Sequence, residues 1–495
     1  MSETVRDTVN GLATGLVTTI GLEIHCELAT ATKMFCGCPV GFGGEPNTRV
    51  CQVCLGHPGT LPVPNEQAVA YAIRIAMALG CDIAPSSIFH RKNYFYPDMP
   101  KNYQISQYDI PLGLKGSLDV TTGAGTRAVG ITRVHLEEDT GKSLHMGAGG
   151  RIHDADYSLE DFNRAGTPLV EIVTEPDMGS PEEGRAFAQE LRSILEYLGV
   201  SDVRLEEGSM RFDANISVAP PGDRGAKVEV KNLNSLKSLY RALAYEEVRQ
   251  REVLSAGGTI DQSTRHWDER SGVTRPLRTK EHAFDYRYFP EPDLVPIQPS
   301  PAWLEAITSG IPELPPARRR RFIAGYGLTP YDASVLVASK AAADYFENAA
   351  AAAGDVETKL VANWLANDLL GRLSERGEDL ETTRVTPQQL GALVSLVAGG
   401  SISGVQGKVV LDEMIASGRP AAGIVEEKGL RQVSGRSELE AVVTGVLAAN
   451  ADVVERIRGG DTKPQGFLVG QIMKATKGQA NPAVVQQLLK EMLQG

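Results

Sequence analysis

Long hydrophobic runs are absent from this sequence of 495 residues. A membrane-spanning helix needs roughly 18 or more consecutive apolar residues, and no segment approaches that length. The N-terminal segment has Arg6 as its only basic residue before position 20, so it lacks the charged start of a secretory signal peptide. We therefore expect a cytoplasmic protein without a membrane span.

Common nucleotide-binding and hydrolytic motifs are also missing. The residues GKS at 141–143 imitate the end of a P-loop, but the first glycine of that motif would fall at Leu136. The segment GAGGRI at 147–152 does not match the dinucleotide-binding fingerprint. No Gly-x-Ser-x-Gly elbow or amidase-like Gly- and Ser-rich stretch occurs. The sequence therefore offers no obvious nucleophile for hydrolysing an amide.

The composition is that of an ordinary globular protein, with 42% hydrophobic and 23% charged residues. At about 100 to 200 residues per domain, the length predicts about three domains. The net charge of −12 argues against a protein that coats nucleic acid along its whole surface. Residues 421–495 differ, because nine basic residues exceed eight acidic ones there. We expect a polyanion to bind at this end of the chain.

Hydrophobic periodicity predicts a mixed N-terminal part. Residues 1–16 are rich in Thr and Gly without periodicity, and we expect a disordered tail there. Residues 17–300 combine short alternating runs with helical patterns at 65–79 and 181–198. This mixture predicts an α+β domain.

The remainder of the chain has helical patterns only. Five prolines between 290 and 301 indicate a domain boundary near residue 300. An all-α helical domain is expected at 301–420. Gly and Pro cluster again at 418–423, so we expect a small all-α tail domain at 421–495.

Four of the six cysteines fall close together in the pattern C-x-C-x12-C-x2-C: Cys36, Cys38, Cys51 and Cys54. In a cytoplasmic chain this spacing is typical of one tetrahedral zinc ion held by four thiolates. Four protein ligands leave no open position, so the sequence predicts a structural zinc knuckle at 36–54. The alternative is four unrelated reduced thiols.

The segment GLEIHCEL predicts a strand with two chemically different faces. Side chains alternate across a strand, so Glu23, His25 and Glu27 project from the face opposite Leu22 and Ile24. A solvated strand face explains this pattern equally well. The polar face becomes a candidate site only if further acids converge on it.

Further acids occur in two other segments. Glu137, Glu138 and Asp139 end a run that starts at Val129, and Glu171 lies in LVEIV, where its four neighbours are apolar. A carboxylate in an apolar run must be paired, metal-bound or protonated. Oxygen ligands with one histidine suit magnesium that carries phosphates, so we expect a phosphoryl-transfer site. Alternation alone does not choose between Glu137 and Glu138.

Cationic and polar residues recur in neighbouring segments. Each one alone is typical of a surface residue, but their recurrence in strand after strand favours a shared binding cavity. The residues are Lys92, Lys101, Arg133, Asn163, Arg164, Asp213 and Asn215.

Seven long motifs occur in order along the chain: GLEIHCEL, RKNYFYPDMPKNYQISQYD, HLEEDTGKS, FNRAGTPLVEIVTEPD, EVKNLNS, DYRYFPEPD and GFLVGQIMKATKGQANP. Together they resemble the family of B subunits of the bacterial aspartyl/glutamyl-tRNA amidotransferase. The resemblance runs from about residue 17 to the C-terminus.

The resemblance implies a three-subunit enzyme that converts misacylated Glu-tRNA(Gln), and often Asp-tRNA(Asn), to the amide. It implies that an amidase-type A subunit frees ammonia from glutamine and that a small C subunit holds the pair together. The B subunit uses ATP to activate the carboxyl group on the tRNA. The resemblance also implies a glutamine-synthetase-like catalytic cradle, a helical domain and a tRNA-contacting tail.

The resemblance also implies site residues. By motif position, the magnesium ligands carry over to Glu23, His25, Glu138 and Glu171. The cysteine quartet occurs in only part of the family, and this chain has all four.

The tail of the family contacts tRNA, which implies this role for Lys474 and Lys477. The basic run 318–321 is a rival candidate for that contact. Two other functions stay open. One is a noncatalytic tRNA-binding or assembly subunit, and the other is the archaeal E subunit, which is longer and has an inserted domain that we do not find here. The sequence does not decide between Glu-tRNA and Asp-tRNA as the substrate.

Overall fold

The computed structural model describes residues 15–147, 155–279, 286–431, 436–459, 464–476, 480 and 482–494. The chain divides into two compact units, Met1–Pro315 and Pro316–Gly495. Strands and helices are mixed in the first unit and the described part of the second is helical, so the α+β prediction is confirmed. Most of the expected tail at 1–16 lies outside the described residues. No described helix is long and apolar enough to cross a membrane.

The described part of the first unit contains both predicted helical patterns. Its strands are β1 (Val17–Glu27), β2 (Asp82–Ile83), β3 (His90–Asn93), β4 (Tyr103–Ser106), β5 (Gly113–Thr122), β6 (Gly125–Glu138), β7 (Lys142–Met146), β8 (Tyr157–Asp161), β9 (Pro168–Thr174), β10 (Met210–Ala219), β11 (Val228–Leu233), β12 (Ser263–Asp268), β13 (Val273–Thr279) and β14 (Phe289–Pro290). Its helices are α1 (Glu66–Ala78), α2 (Pro181–Leu198), α3 (Leu236–Ser255) and α4 (Pro301–Ser309).

Nine strands form one sheet in the order β13-β12-β11-β10-β1-β9-β6-β5-β2. The β11–β12 pair is parallel and the other pairs are antiparallel. Two small sheets accompany it, β14-β3-β4 and the β7-β8 hairpin. Because β1, β9 and β6 are adjacent in the middle of the large sheet, their side chains meet on each of its faces.

One face of the large sheet is covered by helices. Leu22 and Ile24 on β1 are almost fully buried and join the same apolar core as Leu191 of α2 and Leu239 of α3. The apolar half of GLEIHCEL therefore packs inward, as its alternation predicts. The opposite face carries the polar half.

Helix α2 begins and ends at residues that favour helix termini. The Ser180 hydroxyl accepts a hydrogen bond from the Glu183 N–H at 3.2 Å, and Pro181 occupies the first turn. Gly199 ends the helix with a φ of 64°, which favours glycine. The Glu183 carboxylate accepts from the Gly179 N–H at 2.6 Å, which fixes the entry to the helix.

The first unit extends past the expected boundary at residue 300. Helix α4 packs on α1 and buries Ile307 in the core of the sheet. Because α4 belongs to this core, the first unit includes it and ends at Pro315.

The second unit is helical in its described residues. Its elements are α5 (Pro315–Tyr326), α6 (Pro330–Val337), α7 (Lys340–Ala353), α8 (Thr358–Asn363), a π-helical turn (Trp364–Leu369), α9 (Leu370–Arg376), α10 (Pro387–Ala398), α11 (Gly404–Ser417), α12 (Ala421–Glu427), α13 (Arg436–Ala449), α14 (Ala451–Arg458), α15 (Gln465–Ala475) and α16 (Pro482–Gln494).

Two clusters of helices are distinguishable within the second unit. Helix α12, which was expected to begin the tail domain at residue 421, packs on α10 and α11 and buries Ala421, Ile424 and Val425. Helices α13 to α16 have an apolar core of their own. It contains Leu439, Val443, Leu468, Ile472, Val485, Leu488 and Leu489.

Candidate active site and cysteine centre

Strands β1, β9 and β6 bring an imidazole and two carboxylates to one point on the polar face. His25 and Glu171 are opposite each other in register on β1 and β9, and Glu171 is opposite His135 on β6. Glu137 shares the face of His135 because side chains alternate along a strand. His25 Nε2 lies 3.4 Å from Glu171 Oε2 and 3.7 Å from Glu137 Oε1.

This trio has the geometry of a metal-binding site. One ligand atom from each of His25, Glu137 and Glu171 lies within 4.8 Å of the other two. Both carboxylates are buried, so their charges require a partner. Carboxylate oxygens with few other protein ligands suit Mg²⁺, which keeps several waters and binds substrate phosphates. The residues present therefore fit a magnesium ion.

Glu138 lies on the opposite face of β6 from this trio. Its carboxylate pairs with the Lys101 ammonium and accepts from the Ile105 N–H at 2.9 Å. Consecutive residues of a strand point to opposite faces, so only one of Glu137 and Glu138 can reach His25. In the structure Glu137 takes that place, whereas the motif position predicts Glu138 as the ligand.

Glu23 is on the polar face but outside the trio. It lies two residues before His25 on the same face of β1, and its register partners are Asp213 on β10 and Val173 on β9. Its carboxylate accepts a hydrogen bond from Asn215 Nδ2 at 3.0 Å. The predicted residues Glu23, Asp213 and Asn215 therefore form a group beside the trio.

His135 is a member of the site that reasoning from the sequence missed. Its Nε2 lies 3.3 Å from Glu171 Oε2 and 3.8 Å from Glu137 Oε2. Burial alone would lower the pKa of His135, but these carboxylates raise it to about 9. Counting back two residues from Glu137 along the strand is the sequence signal that identifies it.

The histidines in turn keep the two carboxylates ionised. Burial alone would raise the pKa of Glu171, but His135 and His25 hold it well below its ordinary value. Burial alone would also raise the pKa of Glu137, but the neighbouring His135, His25 and Lys92 keep it below the ordinary value. Both carboxylates are therefore kept in the ionised form, and without a metal ion the raised pKa of His135 lets its imidazolium offset part of their charge.

A cavity of about 370 Å³ is lined by two members of the trio, His25 and Glu137, and has a cationic wall. Lys92, Arg211 and Lys231 line it, together with Tyr286. The Lys92 ammonium lies 5.0 Å from the centre of the Tyr286 ring. Lys231 Nζ donates to Asp213 Oδ2 at 2.7 Å. Acids on the floor and cations on the wall are what a metal-bound polyphosphate needs.

Other predicted residues border this cavity or lie apart from it. Arg133 contacts the trio, with its Nη2 3.5 Å from Glu171 Oε1. Asn163 and Arg164 line a second cavity of about 410 Å³, where Asn163 Oδ1 accepts from the Arg49 N–H at 2.8 Å. Lys101 lines a third, small cavity with Glu138. The seven predicted binding residues therefore fall into three groups. Lys92, Arg133, Asp213 and Asn215 lie near the trio and its cavity, Asn163 and Arg164 line the second cavity, and Lys101 lines the third.

The half-buried Glu27 and the buried Asp139 form a second acid pair, with Glu27 in the lining of the second cavity and Asp139 in the lining of the first. Burial, and then the charge of Asp139, raise the pKa of Glu27 to about 8. Arg211 Nη2 lies 2.9 Å from Asp139 Oδ2, and Arg164 Nε lies 3.6 Å from the same oxygen. These cations keep the pKa of Asp139 below its ordinary value despite its burial. The surroundings therefore favour a proton on Glu27 over one on Asp139.

The four clustered cysteines converge in space. The Sγ atoms of Cys36, Cys38, Cys51 and Cys54 all lie within 4.8 Å of one another, as expected for ligands of one metal ion. The hydrogen bond from Cys36 lowers the pKa of Cys54 to about 4, and burial raises the pKa of Cys38 to about 11. Four thiols around one point are compatible with a structural zinc ion.

Comparison with known proteins identifies the family. Residues 18–305 match the family described as the GatB/GatE catalytic domain, and residues 344–493 match the GatB domain. A protein of Carboxydothermus hydrogenoformans, named as the B subunit of aspartyl/glutamyl-tRNA(Asn/Gln) amidotransferase, is 52% identical over 476 residues, which cover 96% of this chain and 98% of that protein. The chain belongs to this family of amidotransferase B subunits.

Other B subunits of the same name are similarly close. The protein of Moorella thermoacetica is 53% identical over 477 residues, which cover 96% of this chain and 99% of that protein. The protein of Brevibacillus brevis is 48% identical over 478 residues, which cover 96% of this chain and 98% of that protein. The agreement therefore extends over both units of the chain.

In this member of the family, the two candidate contacts for tRNA differ in their surroundings. Lys474 is exposed on α15, whereas Lys477 lies outside the described residues. In the rival run, Arg318 Nη2 lies 2.6 Å from Asp344 Oδ1, and Arg321 Nη1 lies 2.5 Å from Glu347 Oε1. Two arginines of this run are therefore already paired with carboxylates.

Proposed function

We propose that this chain activates the side-chain carboxyl of Glu-tRNA(Gln), Asp-tRNA(Asn) or both with ATP and then amidates it with ammonia. The observation that carries this proposal is the convergence of His25, Glu137 and Glu171, of which His25 and Glu137 line a cavity with a cationic wall. A carboxylate does not react with ammonia directly, so it needs a leaving group first. A site that binds both a metal ion and phosphates can provide one.

The proposed chemistry has two steps. A carboxylate oxygen of the aminoacyl group attacks the γ-phosphorus of ATP, and the bond to ADP breaks to leave an acyl phosphate. Ammonia then attacks the acyl carbon, inorganic phosphate leaves with the bonding electrons, and the surplus proton is released. Bulk water would consume both the acyl phosphate and the ammonia, so a closed passage from the source of ammonia to the cavity is expected.

Each residue of the site has a defined place in this proposal. His25, Glu137 and Glu171 would hold Mg²⁺, which neutralises charge on transferring phosphoryl groups. Lys92, Arg133 and the cations of the cavity wall would bind the phosphates and orient them toward the carboxylate. Glu23, Asp213 and Asn215 would border the same pocket, while Asn163, Arg164 and Lys101 are proposed as binding residues in the adjacent cavities.

The rest of the molecule is proposed to serve this reaction in the cytoplasm. An amidase-type A subunit would supply ammonia and a small C subunit would complete the heterotrimer. The first unit would be a glutamine-synthetase-like cradle whose cysteine centre holds structural Zn²⁺. The helical tail, with Lys474 and Lys477, would bind tRNA, because it is the less acidic end of the chain.

ATP cleavage that depends on misacylated tRNA tests the proposal. The full-length complex should release ADP and phosphate with Glu-tRNA(Gln), Asp-tRNA(Asn) or both, and little with correctly charged tRNA. Testing each misacylated tRNA separately identifies the substrate. A complex that binds tRNA but never cleaves ATP in response would establish the noncatalytic alternative.

A further inference from the structure

Lys33 is a fully buried lysine next to the cysteine centre, with about 1% of its surface exposed. A buried ammonium group requires polar or anionic partners, because its desolvation is costly. Among the described residues, no carboxylate lies within 4.0 Å of Lys33 Nζ. The charge must therefore be compensated in another way.

The partners of Lys33 are a sulfur atom and a carbonyl oxygen. Its Nζ donates to Cys54 Sγ at 3.7 Å and to the Phe162 carbonyl oxygen at 3.1 Å. Cys54 Sγ also accepts from the Cys51 N–H at 3.1 Å. Cys54 therefore receives two N–H donors, one of them cationic, as a metal-bound thiolate would.

We propose that Lys33 is a positioning residue for the cysteine centre, where its ammonium offsets the negative charge of a zinc tetrathiolate and holds Cys54 in place. This inference rests on the proposed zinc ion. Four thiolates around Zn²⁺ leave two net negative charges, and one buried ammonium halves that excess. Hydrogen bonds to a bound thiolate also make its sulfur less nucleophilic and fix its orientation, as outer partners of metal ligands do.

Lys33 also connects the cysteine centre to the wall of the catalytic cavity. The segment that follows its partner Phe162 contains Arg164 and Gly166. The Met34 N–H donates to the Gly166 carbonyl oxygen at 2.7 Å, and the Gly166 N–H donates to the Asp139 carbonyl oxygen at 2.9 Å. Displacement of Lys33 should therefore shift the backbone of Asp139, because two backbone hydrogen bonds connect the two segments.

The test measures the metal and the thiols rather than the activity. Full-length Lys33→Met is compared with wild type and with Lys359→Met, which removes an exposed lysine from α8. Zinc content is measured first, then the rate of zinc loss to a chromogenic chelator. The initial alkylation rates of Cys54 and Cys38 by iodoacetamide are followed by mass spectrometry.

Loss of an outer partner commonly weakens metal binding by about 10- to 100-fold, so Lys33→Met should release zinc at least about tenfold faster. Cys54 should gain reactivity more than Cys38. The Cys38 carbonyl oxygen accepts a hydrogen bond from the Lys33 backbone N–H at 2.9 Å, but among the described residues it is the Cys54 thiol that the Lys33 ammonium contacts. A general loss of packing would instead expose both thiols equally. Lys359→Met should match wild type.

Two results would overturn the inference. Zinc release and Cys54 alkylation at wild-type rates in Lys33→Met would show that the ammonium does not hold the thiolate, even though zinc is present. Wild-type protein without zinc would overturn the metal centre and this inference together, while leaving ATP-dependent amidation intact. If Lys33→Met does not fold, Lys33→Gln decides, because its neutral amide keeps a donor for Phe162 but removes the charge.

Discussion

His25 and Glu171 are register partners on adjacent antiparallel strands, and His25 Nε2 lies 3.4 Å from Glu171 Oε2. Two strands inside a nine-stranded sheet hold this separation more rigidly than a loop would. The candidate metal site is therefore preformed by backbone pairing, and its function should depend on these individual side chains.

Replacement of Glu171 by Gln, or of His25 by Ala, should abolish tRNA-dependent ATP cleavage, with a loss of about two orders of magnitude or more. Phosphoryl transfer depends on positioning and charge neutralisation, and each change removes a proposed ligand. Glutaminase activity of the assembled complex should stay measurable. Wild-type ATP cleavage in either variant would exclude the residue from the metal site.

Glu137→Gln and Glu138→Gln form a matched pair on adjacent positions of one strand. Glu137→Gln should raise the Mg²⁺ concentration needed for half-maximal ATP cleavage by about tenfold or more, because Glu137 lies in the trio. Glu138→Gln should leave the Mg²⁺ requirement nearly unchanged, because Glu138 pairs with Lys101. The reverse order would restore the assignment made from motif position.

The pKa of His135, raised to about 9, predicts how stability depends on pH. A group with a raised pKa in the folded state stabilises fully below its unfolded pKa, about 6.5, and this contribution disappears as pH rises through about 9. In magnesium-free buffer, His135→Gln should therefore lower the urea midpoint most at pH 6. The difference from wild type should shrink by pH 9.5, and a constant difference would contradict the ion pairing.

Metal analysis of protein purified without chelators should give about one zinc per chain, since four thiolates suit one tetrahedral ion. Cys51→Ser should lower the thermal midpoint more than it lowers the turnover of the protein that remains folded. A matched Cys81→Ser change removes a buried thiol outside the cluster and should leave zinc content unchanged. Wild-type protein without zinc would refute the metal centre.

Removal of the tail is expected to weaken tRNA binding. Deletion of residues 421–495 should raise the KM for misacylated tRNA and flatten its salt dependence while glutaminase activity stays near normal. Because α12 packs on the preceding helices, deletion from residue 436 is the cleaner variant. Lys474→Ala alone should flatten the logarithmic salt slope by about one unit. Unchanged affinity and slope after deletion would favour the basic run at 318–321.

The sequence alone determined the features that depend on local periodicity or on spacing along the chain. Alternation in GLEIHCEL separated Ile24 from His25 correctly, because adjacent side chains of a strand always point to opposite faces. The spacing of four cysteines predicted their cluster, because ligands so close in sequence need only tight turns to meet. Motif order identified the family.

The tertiary structure decided what depends on strand order and register. The choice between Glu137 and Glu138 required the pairing of β6 with β9, because a shift of one residue exchanges the two faces. His135 is recognised as a residue of the site only because strand pairing places it opposite Glu171. One of the two partners of Lys33 lies 129 residues further along the chain at Phe162, so no local pattern shows how its ammonium group is held. Contacts of this kind exist only after the sheet has brought distant segments together.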